Sequence, residues 1–578
     1  MMFPRYVLRI FPRVNLNNLL IALISIIAYH FIFQHKLPAA FFSTTDMKQD
    51  ETESVNPRAS SVWCRGEMLS KRLCRFQNLC IHSDGEFIFF HGPESIISGI
   101  TLPQMKEAIV ELSSIEGHNA LTLVLTDVPV DRIGDLPWTI KDIEDTSFLL
   151  KRFKPNNLMH VIHDDLMPIY SSLLEIGACP QEKRCNAKLV FVDSFARGPF
   201  WDFYKLFTQS EPILLSDLSS KEIYCFKDVY VGLNRNTVWY QYGFTEPQSP
   251  WVNRTVTAMD IQRFTSYVTS FLAGRLLPST CPAIPLTVLL SRKNTRLILN
   301  ERQVTEMIEQ QTITTVITLS LDDHSLVDLI AHIQCAKILI GMHGALLVLS
   351  AFLPPGSILI ELFPYAVPPE DYTPYKTLAT LPGMGITYKE WVNTKEEHTV
   401  IHPDWPKLMG GINHLPLEEQ QRIMRDKPVK RHLCCSDPQW LLRIFQDTFV
   451  DIASLSDLIR VAMAENEDGS KLAVASKIED LWTRNLFPGR VNNLNCQVND
   501  DYIDLLWDPP WNLDFLHFVE WTYEVWFRVF GDPQYKIAVT NATVQRIERF
   551  SLPIDVWVTT KVSGEKRGPF QWFVCKES

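Results

Sequence analysis

The alternation of apolar and polar positions divides the chain into stretches with different rhythms. Between Leu286 and Pro364, short runs of β-branched and aliphatic residues (LTVLL from Leu286, TTVITL from Thr314, ILI at Ile338–Ile340, ILIEL at Ile358–Leu362) alternate with stretches of helical period near Glu301–Gln310 and Ser325–Cys335. That order predicts buried parallel strands joined by helices. From Cys64 to about Pro278 the same rhythm is looser, with strands expected at Glu86–Phe90, Leu121–Leu125 and Lys188–Val192. Helices are expected over Pro438–Met463, after a proline-rich loop from Pro364 to Pro416. From Pro488 the pattern changes to period two, in YIDLLW, YEVWFRVF, QYKIAV and IDVWVTT, with DPP, GDP and SGEKRG turns between them. This spacing predicts an all-β sandwich.

The expected architecture is α/β. It has a cytosolic tail (1–13), a transmembrane anchor (14–35), a stem (36–61), an N-terminal α/β lobe (62–283), a C-terminal α/β lobe (284–470) and a β-sandwich (484–578). Leu19–Phe33 is apolar apart from Ser25 and His30 and follows Arg5, Arg9 and Arg13, so the rest of the chain is expected in the lumen as a single-pass type II protein. A cleaved signal peptide, ending near Ala39 and Ala40, is the alternative. Either way the chain enters the secretory pathway.

Composition narrows the partners. A net charge of −11 over 578 residues argues against nucleic acid. Twelve cysteines in an oxidising lumen suggest disulfides, with Cys179–Cys185 and Cys496–Cys575 as plausible pairs, and no finger-spaced CxxC units point to zinc. Asn253 and Asn541 head N-glycosylation sequons. Trp507, Trp521 and Trp526 could stack on sugar, although a small sandwich needs large apolar side chains mainly for its core.

Three clusters carry candidate chemistry. In the first, Gly341, His343, Gly344 and Ala345 fall where a helix is expected to start, a place suited to phosphate, and Glu361 at the end of the next strand could accept from a ribose. An ordinary strand–helix–strand unit would read the same way. In the second, Ser291, Arg292, Lys293 and Arg296 lie just beyond the strand Leu286–Leu290, followed by Asn300 and Glu301. Arginine there can neutralise a diphosphate, whereas a solvated basic loop is the bland alternative. The third is NLMHVIHDDLMP, Asn157–Pro168. On a helix His160 and Asp164 share a face while His163 and Asp165 point elsewhere, and a His–carboxylate pair suits general-base work.

Together, NxxHxxxDxxxP, SR followed by Arg and Asn-Glu, and GxHGA closed by PPGS and ELFP resemble glycosyltransferase family 61 over roughly Asn157–Pro364. The resemblance extends to RHLCC at Arg431–Cys435 and to a sandwich similar to a fibronectin type III module. It implies two Rossmann-like lobes of GT-B type, the endoplasmic reticulum membrane and inverting transfer of GlcNAc from UDP-GlcNAc to protein-linked mannose, on an acceptor such as α-dystroglycan. UDP-GlcNAc is then a substrate, no cofactor is required, and divalent-metal dependence is left open, as is a homodimer. Asp164 or His160 would be the base with His163 beside them, and Ser291, Arg292, Arg296, Asn300, His343, Gly344, Ala345 and Glu361 would hold the nucleotide. Leu346 and Leu349 depart from the family's usual glycine and asparagine, a change expected to alter packing. The sandwich is expected to help hold the acceptor polypeptide. Xylosyl transfer, GlcNAc transfer to EGF repeats and an inactive membrane-tethered binding protein are the competing readings.

Overall fold

A computed structural model describes residues 58–577, apart from 67, 70–71, 102–104, 106, 116–121, 180–183, 243–246, 252–253, 273–280, 431–432, 434–435, 468–487, 489, 511–519, 531–534, 563–565 and 569. The expected anchor, most of the stem and the Asn253 sequon position lie outside the described residues. Among the described residues no helix is long and apolar enough to cross a membrane.

The five strands of the second lobe are all parallel, in the order Thr315–Leu319, Leu286–Leu290, Ala336–Met342, Ile358–Phe363, Thr387–Val392. Leu286–Leu290 and Ile358–Phe363 are buried along their whole length, as strands covered on both faces must be. After Leu286–Leu290 the chain enters the helix Glu301–Gln311, which buries Val304 and Ile308 on one face of the sheet beside the helix Ile452–Glu467. After Ala336–Met342 it enters Ala345–Phe352, a 3-10 helix buried on the other face. Two neighbouring strands thus send their connections to opposite faces, and open α/β sheets bind ligands outside the carboxyl ends of strands at such a point.

The first lobe contains more strand than the sequence pattern implied. A seven-stranded sheet runs Ile213–Leu214, Lys188–Phe191, Ser147–Leu150, Val229–Val231, Leu73–Gln77, Ser61–Arg65, Ile97–Ser98. Its first four strands are parallel and Leu73–Gln77 is antiparallel to them. A second, five-stranded sheet includes Phe87–His91 and Leu125–Pro129. Disulfides tie directly opposed residues of paired strands, Cys64 to Cys74 and Cys80 to Cys225. The two expected pairs, Cys179–Cys185 and Cys496–Cys575, are also formed, and Cys281 joins Cys335.

One apolar cluster spans both lobes, from Phe148, Leu158, Ile162 and Leu189 to Val288, Leu329, Leu347 and Leu359. The short helical turn Leu158–His160 packs on Ala345–Phe352, so the His160 segment and the His343 turn are held together by continuous core. Leu346 and Leu349 belong to this cluster, as expected of a packing change.

The C-terminal region forms two antiparallel sheets. One contains Asn492–Val498, Tyr502–Asp508 and Val544–Glu548; the other contains Lys536–Thr540, Trp521–Val529, Ile554–Val562, Lys566–Arg567 and Gln571–Cys575. Cys496–Cys575 joins the two sheets. Trp507 and Tyr523 sit in its core, whereas Trp521 is partly exposed and Trp526 half-buried. Asn541 is exposed between the strands Lys536–Thr540 and Val544–Glu548, where a glycan has room.

Candidate active site

The segment Asn157–Pro168 is helical, but not uniformly. Asn157 caps it by accepting from the Met159 N–H, Leu158–His160 makes one α turn, and Val161–Leu166 then widens into a π turn before the α-helix Met167–Glu175. Such bulges re-aim side chains and recur at functional sites. The expected pair forms, with His160 Nδ1 2.5 Å from Asp164 Oδ2. The expectation for His163 is corrected: instead of pointing away, its Nδ1 lies 2.5 Å from Asp164 Oδ1, because the widened turn alters the angle between successive side chains. Asp165 does point elsewhere, accepting from Tyr204 Oη at 2.6 Å beside the buried Arg152–Asp193 ion pair.

Hydrogen bonds assign the protons. The Trp239 backbone N–H donates to His163 Nε2, so the His163 proton sits on Nδ1 and is donated to Asp164. Tyr242 Oη donates to Asp164 Oδ1 at 3.1 Å and lies 2.8 Å from His163 Nδ1. Asp164 is wholly buried and receives from three side chains. Burial opposes its charge, but the His163 and His160 imidazoles outweigh this and hold its carboxyl below the usual range. His160 gives its Nδ1–H to that carboxylate, which puts the ring's lone pair on Nε2.

Asp165 is the converse case, since burial, with Asp164 and Asp193 nearby, raises its carboxyl well above the usual range even though Tyr204 donates to it. Its Oδ1 is buried with no hydrogen-bond partner among the described residues. A folded-state acid with raised pKa favours folding most below its unfolded pKa and loses that contribution as pH rises towards the folded value. Asp165→Asn is therefore expected to raise the melting temperature near pH 7.5 and to change it little near pH 4. Each unit of raised pKa corresponds to about 1.4 kcal/mol of stability. Thermal melts across that range check the sign; a pH-independent difference would refute it.

On the facing lobe, Arg292 and Arg296 follow the strand Leu286–Leu290 and meet the turn at His343 and Gly344. Arg296 adopts a left-handed backbone (φ 57°), donates from Nη1 to the His343 carbonyl at 2.9 Å and lies over the Phe445 ring. Gly344 has φ 152°, and a Cβ there would fall on Arg296 Nη1 and lie 2.6 Å from Arg292 Nη2. Glycine is thus required both by backbone conformation and by the two guanidiniums. Burial makes both arginines less basic, and Arg296 also feels Arg292 beside it. Among the described residues no carboxylate forms an ion pair with either. Two adjacent buried cations with no ion-paired carboxylate among the described residues call for an anion.

Two expectations on this side are corrected. Glu361 is entirely buried, with His343 Nδ1 2.6 Å from Oε1 and Tyr388 Oη donating to Oε2 at 2.7 Å, so its carboxylate is turned inward and held by the protein instead of facing a ribose. It fixes the His343 ring, which also stacks on Phe363. Asn300 spends its amide on the Val450 backbone, donating to the carbonyl and accepting from the N–H at 2.8 Å each, so it pins a loop rather than a phosphate. Ser291 is buried with its N–H on the Leu319 carbonyl, and Ala345 begins the 3-10 helix after Gly344. Tyr242 and Tyr375 escaped the sequence reading. Tyr375 is buried, its ring centroid is 5.8 Å from that of His343, and burial with Glu361 nearby raises its hydroxyl while Arg296 and Arg292 draw it down. The nearest sequence signals were the aromatic runs Trp239–Tyr242 and Tyr372–Tyr375.

Comparison with known proteins places the chain among relatives. The sequence profile described as Glycosyltransferase 61 matches residues 141–360, which contain the His160 and Arg292 clusters and the His343 turn and end one residue before Glu361. The chain is 38% identical over 523 residues to a Mus musculus protein named protein O-linked-mannose beta-1,4-N-acetylglucosaminyltransferase 2, covering 88% of this chain and 87% of that one. Proteins of the same name from Xenopus laevis (37% over 525 residues, 89% and 88% covered) and Homo sapiens (37% over 523 residues, 88% and 87% covered) are similar to the same extent.

Proposed function

The chain belongs to the Glycosyltransferase 61 family and is a glycosyltransferase, and from that premise we propose that it transfers GlcNAc from UDP-GlcNAc to the 4-hydroxyl of protein-linked mannose with inversion. The observation that carries this reading is the similarity along nearly the whole chain to relatives bearing that activity in their names. A buried His–Asp clamp and two adjacent arginines on the facing lobe suit the proton removal and the leaving diphosphate of such a transfer.

The proton, the attacking oxygen and the leaving group each have a place. His160 Nε2 takes the proton from the mannose hydroxyl, Asp164 holds the imidazole by its Nδ1–H and stabilises the cation that forms, and His163 with Tyr242 keeps Asp164 in place. Asp164 is a poor base itself because its oxygens already accept from three donors. The oxygen attacks the anomeric carbon as UDP leaves, and Arg292, Arg296 and the Gly344–Ala345 backbone meet the charge growing on the diphosphate. Glu361 orients His343, and Tyr375 stands beside the arginines.

The acceptor is an O-mannosylated glycoprotein, with α-dystroglycan the proposed one, and the two-sheet C-terminal region, taken as fibronectin type III-like, helps hold its polypeptide. The lobes are taken as Rossmann-like in a GT-B arrangement. A type II anchor in the endoplasmic reticulum membrane suits the basic, apolar N-terminus. A donor-hydrolysis screen tests the sugar without any acceptor. UDP-GlcNAc is expected to turn over about 10- to 200-fold faster than UDP-xylose or UDP-GalNAc. Faster use of UDP-xylose would overturn the donor assignment.

A further inference from the structure

Trp239 belongs to both halves of the site at once. It is fully buried, its indole Nε1 donates to the Pro374 carbonyl at 2.9 Å, and its backbone N–H donates to His163 Nε2 at 3.1 Å. Its ring meets the His163 ring edge-on at 4.1 Å. The next residue repeats the link, because Tyr240 Oη accepts from the Thr373 N–H at 3.3 Å. Thr373 and Pro374 lead directly into Tyr375, the phenol that faces His343 and the two arginines. On the other side, His163 holds Asp164, and Asp164 holds His160. A short chain of hydrogen bonds therefore runs from the arginine-lined pocket to the imidazole facing the acceptor.

We propose that Trp239 is a positioning residue that couples occupancy of the diphosphate pocket to the orientation of the His160–Asp164–His163 cluster. A diphosphate on Arg292 and Arg296 fixes Tyr375 and the turn before it; the indole N–H carries that restraint to the Trp239 backbone, and the backbone N–H carries it to His163. The base is then correctly aimed only when the donor is present, which disfavours proton abstraction from an acceptor with no sugar to receive. This inference rests on the sugar-transfer reading for the identity of the donor, but the hydrogen-bonded path does not depend on it.

Trp239→Phe tests the proposal, because it keeps an aromatic ring and the backbone N–H and removes the indole donor. Tyr240→Phe, which deletes the bond from the Thr373 N–H together with the hydroxyl's bond to Gln248, is the second variant should the first fail to fold. UDP affinity measured by calorimetry is expected to stay within about 3-fold of wild type, while kcat falls about 10- to 100-fold, the scale of a small misplacement at a reacting centre. Imidazole nitrogen NMR supplies a readout that simple packing would not move. Adding UDP to the wild type should shift the His163 and His160 signals, and in the variant that response should be lost. An undiminished response in both variants, or a kcat loss that merely follows the folded fraction, overturns the coupling. A wild type that binds UDP but transfers no GlcNAc would sink the functional reading, yet its imidazole response would still decide this one.

Discussion

Replacing His160 by alanine lowers kcat by about 10²- to 10⁴-fold, the range expected for a positioned general base, while UDP affinity stays near wild type. The partition follows from location, since His160 lies on the other lobe from the arginines and its ring is held through Nδ1 by Asp164. Asp164→Asn is expected to be nearly as damaging for a different reason. An amide can present its N–H to an imidazole N–H, so it can no longer accept from both His160 and His163, and the base loses both its tautomer and its aim. Steady-state kinetics with a mannosyl peptide, beside calorimetry with UDP, separates the two effects. Activity in His160→Ala close to wild type would move the base elsewhere.

Replacing Gly344 by alanine should have the opposite signature, abolishing donor binding and leaving the His160 cluster intact. The added methyl would displace Arg296 and Arg292 together and would sit on a backbone conformation that L-residues avoid. Removing one arginine alone has a smaller effect. A hydrogen bond to a charged group contributes about 1.5–3 kcal/mol, so Arg292→Ala should raise the UDP dissociation constant about 10- to 150-fold. Arg292→Lys should recover only part, because an ammonium lacks the planar fork that matches phosphate oxygens. Calorimetric titration of UDP into each folded variant gives the order. Gly344→Ala binding as well as wild type would show that the diphosphate lies elsewhere.

These two sites differed in how far the sequence disclosed them. His160 and Asp164 were legible because their four-residue spacing places them on one face of any helix, and the pair survives the π turn. His163 was not, because i and i+1 diverge in the α-helix that the sequence suggests and converge on one carboxylate only where the turn widens. Four parallel strands of the second lobe were plain from runs such as Leu286–Leu290, whose side chains are buried on both faces, whereas the fifth, Thr387–Val392, falls inside the stretch expected as a proline-rich loop. Most strands of the first lobe are five residues or fewer and are held by Cys64–Cys74 and Cys80–Cys225, constraints that local pattern does not express. Glu361 shows a further limit. Its place near a strand end suggested a ribose ligand, but burial by Tyr388 and His343 turned it into a support. Asn300 was drawn the same way to Val450. Trp239 and Tyr242 reach the site from one segment and Tyr375 from another far from it in sequence, so only the tertiary fold shows them together.

The central claim joins these parts into one event, proton removal at His160 with departure of UDP from the arginine pocket. Product analysis by NMR, after incubation of the full chain with UDP-GlcNAc and a mannosyl peptide, tests it most directly. The expected product carries β-configured GlcNAc on the mannose 4-oxygen and is absent with His160→Ala. An α-configured linkage, attachment at another hydroxyl, or undiminished product from His160→Ala would contradict the account.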